Sequence, residues 1–231
     1  MRLVLLSDTH SMHDRVSVPD GDVVVHAGDW SGRGNALCLK RFCEWFAMLP
    51  HKYRVFIAGN HDWSAAIPEN RERLQDPSWW GPKANAHFLH DSGCEIDGVT
   101  FYGSPWQPEF CDWAFNLPRG AALAEVWAKI PGGVDVLVTH GPALGVLDLC
   151  PDGRRVGCAD LAVAIEERVR PKLHVCGHIH HSHGASRSAT SGTLHVNASI
   201  CTEAYQPINE PIVVDLVGGV ASVVTTERSQ A

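Results

Sequence analysis

Aspartate, asparagine and histidine side chains follow directly on five short apolar runs of the sequence. In an open α/β sheet, ligands bind beyond the carboxyl ends of the strands, so polar residues at these ends are expected to meet in one crevice. One such residue is more often a turn or cap residue, but five coincidences in a single chain favour a shared site. The residues concerned are Asp8, His10, Asp29, Asn60, His61, Asp62, His140, His178 and His180.

The types of these side chains indicate a site for metal ions. Carboxylate and amide oxygens, together with imidazole nitrogens, suit divalent manganese, iron or zinc. Even seven of these nine residues as ligands would be too many for one ion, and seven fit two ions that share a bridging ligand. Two-metal sites hold their ions about 3.5–4 Å apart and activate a water molecule between them. The eight cysteines lie outside these positions, so thiolate ligation is not expected.

The elements that must position these residues alternate along the chain. Strands joined by helices indicate an α/β fold, and the β-rich tail, ending in GVASVVTT, suggests a second sheet packed against the first. The Asp97-Gly98 pair between CEID and VTFYGS predicts a hairpin. Apolar runs predict strands at 3–7, 22–29, 53–59, 99–104, 134–141 and 172–177, and helical spacing predicts helices at 34–49, 120–130 and 159–170.

Length and charge narrow the class of protein further. A chain of 231 residues suits one domain, which we expect to span residues 1–231. The net charge of −7 argues against long nucleic acids as partners, although a bound metal can reverse the local sign and attract a small phosphate. The sequence has no apolar run long enough to span a bilayer and no signal peptide, so the cysteines are interpreted as reduced thiols of a cytoplasmic protein.

Five motifs together resemble the calcineurin-like metallophosphoesterases: D-x-H (8–10), G-D (28–29), G-N-H-D (59–62), T-H-G-P (139–142) and G-H-x-H (177–180). All five stand in the order typical of that family, and the combination is far more specific than any one motif. Further segments resemble the MPPED-type branch, which is related to class III cyclic-nucleotide phosphodiesterases. These segments are GSPWQPEF (103–110), WAFNLPRG (113–120), HGPALGVLDL (140–149), VGCADL (156–161) and NASICTEAYQPINEPIVVDL (197–216).

The resemblance implies a four-layer α/β/β/α sandwich of two central mixed sheets flanked by helices. It implies a first metal held by Asp8, His10 and His180, and a second held by Asn60, His140 and His178. Asp29 would bridge the two ions. His61 matches the family histidine that protonates the leaving oxygen, and Asp62 would orient His61 through a hydrogen bond that raises its basicity.

The implied activity is hydrolysis of a small phosphoester, with a nucleotide favoured as substrate. A hydroxide that bridges the metals would attack phosphorus, and His61 would act as general acid. Phosphodiesterase activity on cyclic nucleotides or related diesters is the favoured hypothesis. A broad phosphomonoesterase is the alternative, and a non-catalytic nucleotide-binding protein is less favoured because the ligand set and His61 are complete. No membrane partner is expected, and a homodimer stays open.

Three residues are candidates for contacts with the rest of the substrate. His13 is either a surface loop residue or a substrate contact. Trp106 lies with Trp113 in an irregular Pro- and Trp-rich segment, and we expect residues 103–119 to form a loop over the metals. These indoles either pack around the loop or form a wall for a base, and Trp106 is the predicted substrate contact. His178 and His180 would share one face of an extended backbone. His181 and His183 would then point to the opposite face. Either both are exposed loop residues without a role, or one of them lines the entrance to the substrate site, and His181 is the third candidate contact.

Overall fold

The computed structural model describes residues 1–80 and 84–224, so the last residues of the GVASVVTT run and of the predicted 1–231 domain lie outside the described part. Six α-helices are described: α1 (Ala36–Met48), α2 (Trp63–Ala66), α3 (Pro68–Gln75), α4 (Pro77–Trp80), α5 (Ala121–Ala128) and α6 (Ala159–Val163). The strands are β1 (Arg2–Leu6), β2 (Val23–His26), β3 (Tyr53–Phe56), β4 (Ala86–Phe88), β5 (Ser92–Ile96), β6 (Val99–Ser104), β7 (Gln107–Pro108), β8 (Asn116–Leu117), β9 (Val136–Thr139), β10 (Leu173–Cys176), β11 (Gly184–Arg187), β12 (Leu194–Asn197), β13 (Ile212–Val217) and β14 (Val220–Val223).

Two six-stranded mixed sheets form the centre of the molecule. The first has the order β14-β13-β1-β2-β3-β4, in which β1 to β4 run parallel. The second has the order β11-β12-β10-β9-β6-β5, in which β12, β10, β9 and β6 run parallel. The predicted hairpin is confirmed, since β5 and β6 pair antiparallel across Asp97-Gly98. The β-rich tail serves both sheets, because β12 joins the second sheet and β13 and β14 join the first.

Three apolar cores separate the layers. Alternate residues of the strands face opposite sides, so Leu3 and Val23 pack between the two sheets, whereas Val24 packs against Phe42 of α1 on the outer face. A third core joins the outer face of the second sheet to α5 and α6, with Trp127 at its centre. The order of layers is therefore helix, sheet, sheet, helix, as the family resemblance implies.

The helix predicted at 159–170 changes character along its length. It is α-helical as α6 and continues as a π-helix over Ala164–Val169.

Among the described residues, no helix has both the length and the apolar composition that a bilayer span requires.

The carboxyl ends of the parallel strands of both sheets meet at one edge of the sandwich. An isolated bridge pairs Ser7, after β1, with Ser199, after β12, and the Ile200 amide donates to the Ser7 carbonyl at 2.9 Å. The Gly177 amide donates to the His140 carbonyl at 2.9 Å, which joins the ends of β10 and β9. The loops that carry the predicted ligands are thereby held next to one another.

Candidate metal centre

Asp8, His10 and His180 form the first cluster of metal-ligand atoms. The Asp8 Oδ1 atom lies 3.3 Å from His180 Nε2 and 3.9 Å from His10 Nε2. The two Nε2 atoms are 3.2 Å apart. All three side chains are shielded from solvent, and their ligand atoms lie within 4.8 Å of one another. The geometry matches the first metal site that the family resemblance implies.

Asp29, His140 and His178 form the second cluster, again with ligand atoms within 4.8 Å of one another. Asn60 joins them, because its Oδ1 atom lies 3.0 Å from His140 Nε2. Asp29 Oδ2 is 3.4 Å from His140 Nε2 and 3.9 Å from His10 Nε2. Asp29 therefore stands between the two clusters, where a bridging ligand is needed.

Backbone carbonyls fix the orientation of the ligand histidines. The Nδ1 atoms of His10, His140 and His180 lie 3.3, 2.9 and 3.0 Å from the carbonyl oxygens of Ser31, Ala27 and Thr202. Since a carbonyl only accepts, each Nδ1 carries the proton and donates. The Nε2 lone pairs are left facing the centre, which is the usual way in which proteins prepare histidine for a metal.

The hydrogen bonding of the Asp8 carboxylate shows that the site suits a cation. Its Oδ2 atom accepts hydrogen bonds from the His178 amide and the Ser199 hydroxyl, both at 2.9 Å. Its Oδ1 atom is buried and has no hydrogen-bond donor among the described residues. A buried carboxylate oxygen without a donor is costly, and a bound cation would satisfy it. The donor set of two carboxylates, one amide and four imidazoles fits divalent manganese, iron or zinc.

Electrostatics prepares these ligands for a cation. Burial penalises the charge of Asp8, but His180 and the other neighbouring imidazoles outweigh this and hold the pKa of Asp8 well below its usual value. Burial lowers the pKa of His178 to about 3, which keeps its ring neutral. Burial also lowers the pKa of His140, but the adjacent Asp29 carboxylate prevails and raises it to about 9. Because a cation binds only the neutral ring, a proton and a metal ion would compete for His140 Nε2.

Four of the ligands occupy a backbone region that is uncommon for residues with a side chain. Asp8, His10, Asp29 and His178 have φ angles of 53, 43, 56 and 66°. Such conformations cost free energy and cluster at functional sites. His178 thereby corrects the expectation of an extended backbone through His180: β10 ends at Cys176, and residues 180–182 form a 3₁₀ turn. His178 and His180 reach the centre from different loop positions rather than by strand alternation.

His61 points into the same centre. Its Nδ1 atom lies 2.6 Å from the Gly32 carbonyl oxygen, and its Nε2 atom lies 4.0 Å from Asp29 Oδ2. The amide of His61 also donates to Asp29 Oδ1 at 2.8 Å. The ligand atoms of His10, Asp29 and His61 lie within 4.8 Å of one another, so the role of His61 as proton donor rather than ligand stays a prediction.

The role predicted for Asp62 is wrong, because its carboxylate does not hold the His61 ring. One Asp62 oxygen accepts from the amides of Asp29 and Gly59, both at 2.8 Å, and the other accepts from the Ser31 amide and hydroxyl at 3.0 and 2.8 Å. Asp62 is completely buried and ties the loop after β2 to the loop after β3. It positions Asp29, and the Gly32 carbonyl orients His61 instead.

This correction predicts the effect of Asp62→Asn. An asparagine in either orientation would place an amide NH₂ against backbone N–H groups, so the Asp29 loop should shift. We expect metal affinity to fall about 10–100-fold, with equal rate losses for substrates with good and poor leaving groups. Metal titration and kinetics on two esters check this. A selective loss on the ester with the poor leaving group, at unchanged metal content, would instead support the original expectation that Asp62 orients His61.

A cavity of about 640 Å³ opens over the metal centre. Asp29, Asn60, His61, His178 and His180 line its floor. Aromatic side chains stand around them: the Tyr205 ring lies 4.8 Å from the His10 ring, Phe110 lies 6.5 Å from His178, and Trp113 stacks on His61 at 4.1 Å. Substrate would enter between these aromatic walls.

The three predicted substrate contacts have different positions. His181 lines the cavity and lies 3.1 Å from Glu203. His13 is buried against Trp45 and Phe42, so it is neither a surface residue nor a substrate contact.

Trp106 does not line the cavity. It packs against apolar cores, and its indole N–H donates to Asp91 at 2.9 Å. The expectation that the 103–119 segment reaches the centre holds for Pro108, Glu109, Phe110, Trp113 and Arg119. Trp113, for which the sequence leaves packing and a wall for a base open, does line the cavity. Phe110 lies in the same segment but was not singled out by its pattern, and no sequence signal pointed to Tyr205.

The comparison with known proteins agrees with this geometry. The family model for calcineurin-like phosphoesterases matches residues 1–182. Metallophosphoesterase domain-containing protein 1 from human and from mouse is 45% identical to the chain, over 93% of this chain and 71% of each relative. UPF0046 protein K07C11.7 from Caenorhabditis elegans is 38% identical over 92% of this chain and 74% of its own length. The chain belongs to the calcineurin-like phosphoesterase family.

Proposed function

We propose that this protein is a dinuclear metal-dependent phosphodiesterase that hydrolyses cyclic nucleotides or related phosphodiesters. Asp8, His10 and His180 would hold one ion, and Asn60, His140 and His178 the other, with Asp29 between them. Divalent manganese, iron or zinc at such a centre stabilises phosphate charge and acidifies bound water. Two ions carry four positive charges, which exceed the two negative charges of Asp8 and Asp29, so the centre attracts an anion despite the acidic protein.

The charge of the cavity wall carries the preference for a diester. Glu109, Asp152 and Glu203 line the cavity, whereas its lining arginines are Arg119 and Arg154. Arg154 pairs with Asp152 at 2.6 Å. Arg119 donates to the carbonyls of Val156 and Gly157 at 2.6 and 2.7 Å, and its remaining charge is outnumbered by those of Glu109 and Glu203. Beyond the metals, the described lining thus offers little for the second negative charge of a monoester. A diester carries one charge and brings a second organic group.

The size and lining of the cavity support a nucleotide-like substrate. A volume of about 640 Å³ lies in the range that holds small organic ligands. Phe110 and Tyr205 are 57% and 46% exposed, so their rings are available to a flat organic group. Stacking of a base on such a ring contributes about 1–3 kcal/mol in other proteins.

His61 would supply the proton that the leaving oxygen needs. With Nδ1 donating to the Gly32 carbonyl, a second proton on Nε2 makes the ring an acid that faces the cavity. The proton moves from Nε2 to the departing oxygen as the bond to phosphorus breaks. The ring returns to the neutral form that keeps its Nδ1 hydrogen bond.

A comparison of two aryl esters tests the proposal. Metal-loaded protein should hydrolyse bis-p-nitrophenyl phosphate with a kcat/KM about tenfold or more above that for p-nitrophenyl phosphate. The Asp29→Asn variant, prepared in parallel, should lose both activities, which excludes a contaminating phosphatase. A preference for the monoester would favour the phosphomonoesterase alternative. Binding of nucleotide without turnover of any ester would favour a non-catalytic protein.

The state of the cysteines supports a reducing compartment such as the cytoplasm. All eight are free thiols, and four of them are buried. Disulfides form and persist mainly in oxidising compartments. We therefore include cytoplasmic localisation in the proposal, and fractionation of the cells that express the protein would test it.

A further inference from the structure

Trp113 is the closest aromatic neighbour of His61. The two rings stack with their centroids 4.1 Å apart and their planes 23° from parallel. The neighbouring amide of Ala114 donates to the Asn60 carbonyl at 3.2 Å, so the segment that carries Trp113 is attached to the loop that carries His61. The contact is therefore anchored in the backbone on both sides.

The stack completes the confinement of the His61 ring. The Gly32 carbonyl holds the Nδ1 edge at 2.6 Å. The His10 ring meets His61 edge-on at 4.7 Å, with planes 74° apart. One hydrogen bond can bend, so it still lets the ring tilt about its Cβ–Cγ bond. A flat neighbour on its face removes this freedom, because rotation would drive the imidazole edge into the indole.

We propose that Trp113 is a positioning residue for proton donation: its indole face holds the His61 ring in the plane that aims Nε2 at the leaving oxygen. This inference rests on the proposed function. It means that Trp113 affects kcat through His61. An aromatic residue that only contacted the substrate would mainly affect KM. A small displacement of a reacting group can cost up to about 100-fold in rate.

Two substitutions separate the flat face from apolar bulk. Trp113→Phe keeps a planar ring, whereas Trp113→Leu keeps apolar volume without a plane. For 3′,5′-cyclic AMP, whose leaving group is a ribose alkoxide, Trp113→Leu should lower kcat about 10–100-fold. For bis-p-nitrophenyl phosphate, whose leaving group needs no proton, the loss should stay below about threefold. Trp113→Phe should recover most of the lost rate on the cyclic nucleotide.

Controls distinguish positioning from packing. Trp106→Leu removes an indole of the same segment that lies away from the cavity, and it should leave the ratio of the two rates unchanged. In a His61→Gln background, Trp113→Leu should cause no further loss on the cyclic nucleotide, because the two residues act as one unit. Metal content and circular dichroism confirm that each variant is folded and loaded.

The outcomes are distinct. Equal kcat losses on both esters, or a rise in KM alone, would overturn the positioning role. Failure of the wild-type protein to hydrolyse diesters would instead overturn the proposed function. In that event the same ratio can be measured on glycerol 2-phosphate and p-nitrophenyl phosphate, whose leaving groups differ in the same way. A leaving-group effect there would support Trp113 independently of the diester preference.

Discussion

Replacement of Gly59 by alanine is expected to remove both metal ions from the protein and to abolish its activity. A Cβ atom at this position would contact Asp29 Oδ1 and stand only 2.5 Å from the Asp29 amide nitrogen and 2.6 Å from His140 Cε1. The clash can be relieved only by disrupting the centre, because the Asp29 amide is held by a hydrogen bond to Asp62 and His140 is fully buried. The bridging aspartate must therefore shift. We expect metal affinity to fall about 100-fold or more.

Two further glycines make this prediction specific. A Cβ on Gly177 would contact Asp8 Oδ2 and Ser7 Oγ, so Gly177→Ala should weaken mainly the first site. A Cβ on Gly132 would meet nothing within 4 Å, so Gly132→Ala should be neutral and serves as the control. Elemental analysis of equally loaded proteins should give near zero, near one and near two ions per chain for the Gly59, Gly177 and Gly132 variants. Full metal content in Gly59→Ala would disprove the bridging position of Asp29.

The ligand set could be predicted from the sequence because each ligand follows a strand. Val23 to His26 and Tyr53 to Phe56 are apolar runs whose length and composition define strands, and parallel strands bring their carboxyl ends to one edge. Asp29 and Asn60 then converge whatever the details of the loops. The roles assigned to single ligands came from the family resemblance, and the structure brings all seven side chains to the centre.

Contacts between sequence neighbours could not be predicted in the same way. Asp62 follows His61, which suggests that the two side chains touch. In the structure the chain turns into α2 at Trp63, and Asp62 points inward to the amides of Asp29 and Gly59. Those donors belong to two different loops, and only tertiary packing places them together.

The choice between Trp106 and Trp113 shows the same limit. Both lie in one irregular segment, and composition alone does not say which indole faces the metals. The outcome depends on β7 and β8, which pair Gln107 with Asn116, and on the hydrogen bond from Trp106 to Asp91. These contacts turn Trp106 toward the cores and leave Trp113 against His61. Neither contact can be predicted from the order of residues within the segment.

His61→Gln is expected to leave both metals in place and to lower kcat in a manner that depends on the leaving group. For 3′,5′-cyclic AMP the loss should approach the full contribution of a general acid, about 10²–10⁴-fold. For bis-p-nitrophenyl phosphate it should be small, because p-nitrophenolate leaves without a proton.

His180 provides the matched control for His61. Both imidazoles have Nδ1 at hydrogen-bond distance from a backbone carbonyl oxygen and Nε2 facing the centre, so they differ in assigned role rather than in general arrangement. His180 Nε2 lies 3.3 Å from Asp8 Oδ1, whereas His61 Nε2 stands farther out, 4.0 Å from Asp29 Oδ2. His180→Gln should therefore lower metal content and slow both esters alike. If His61→Gln shows that same pattern, His61 is a metal ligand together with His10 and Asp29, and the proton must reach the leaving oxygen from elsewhere.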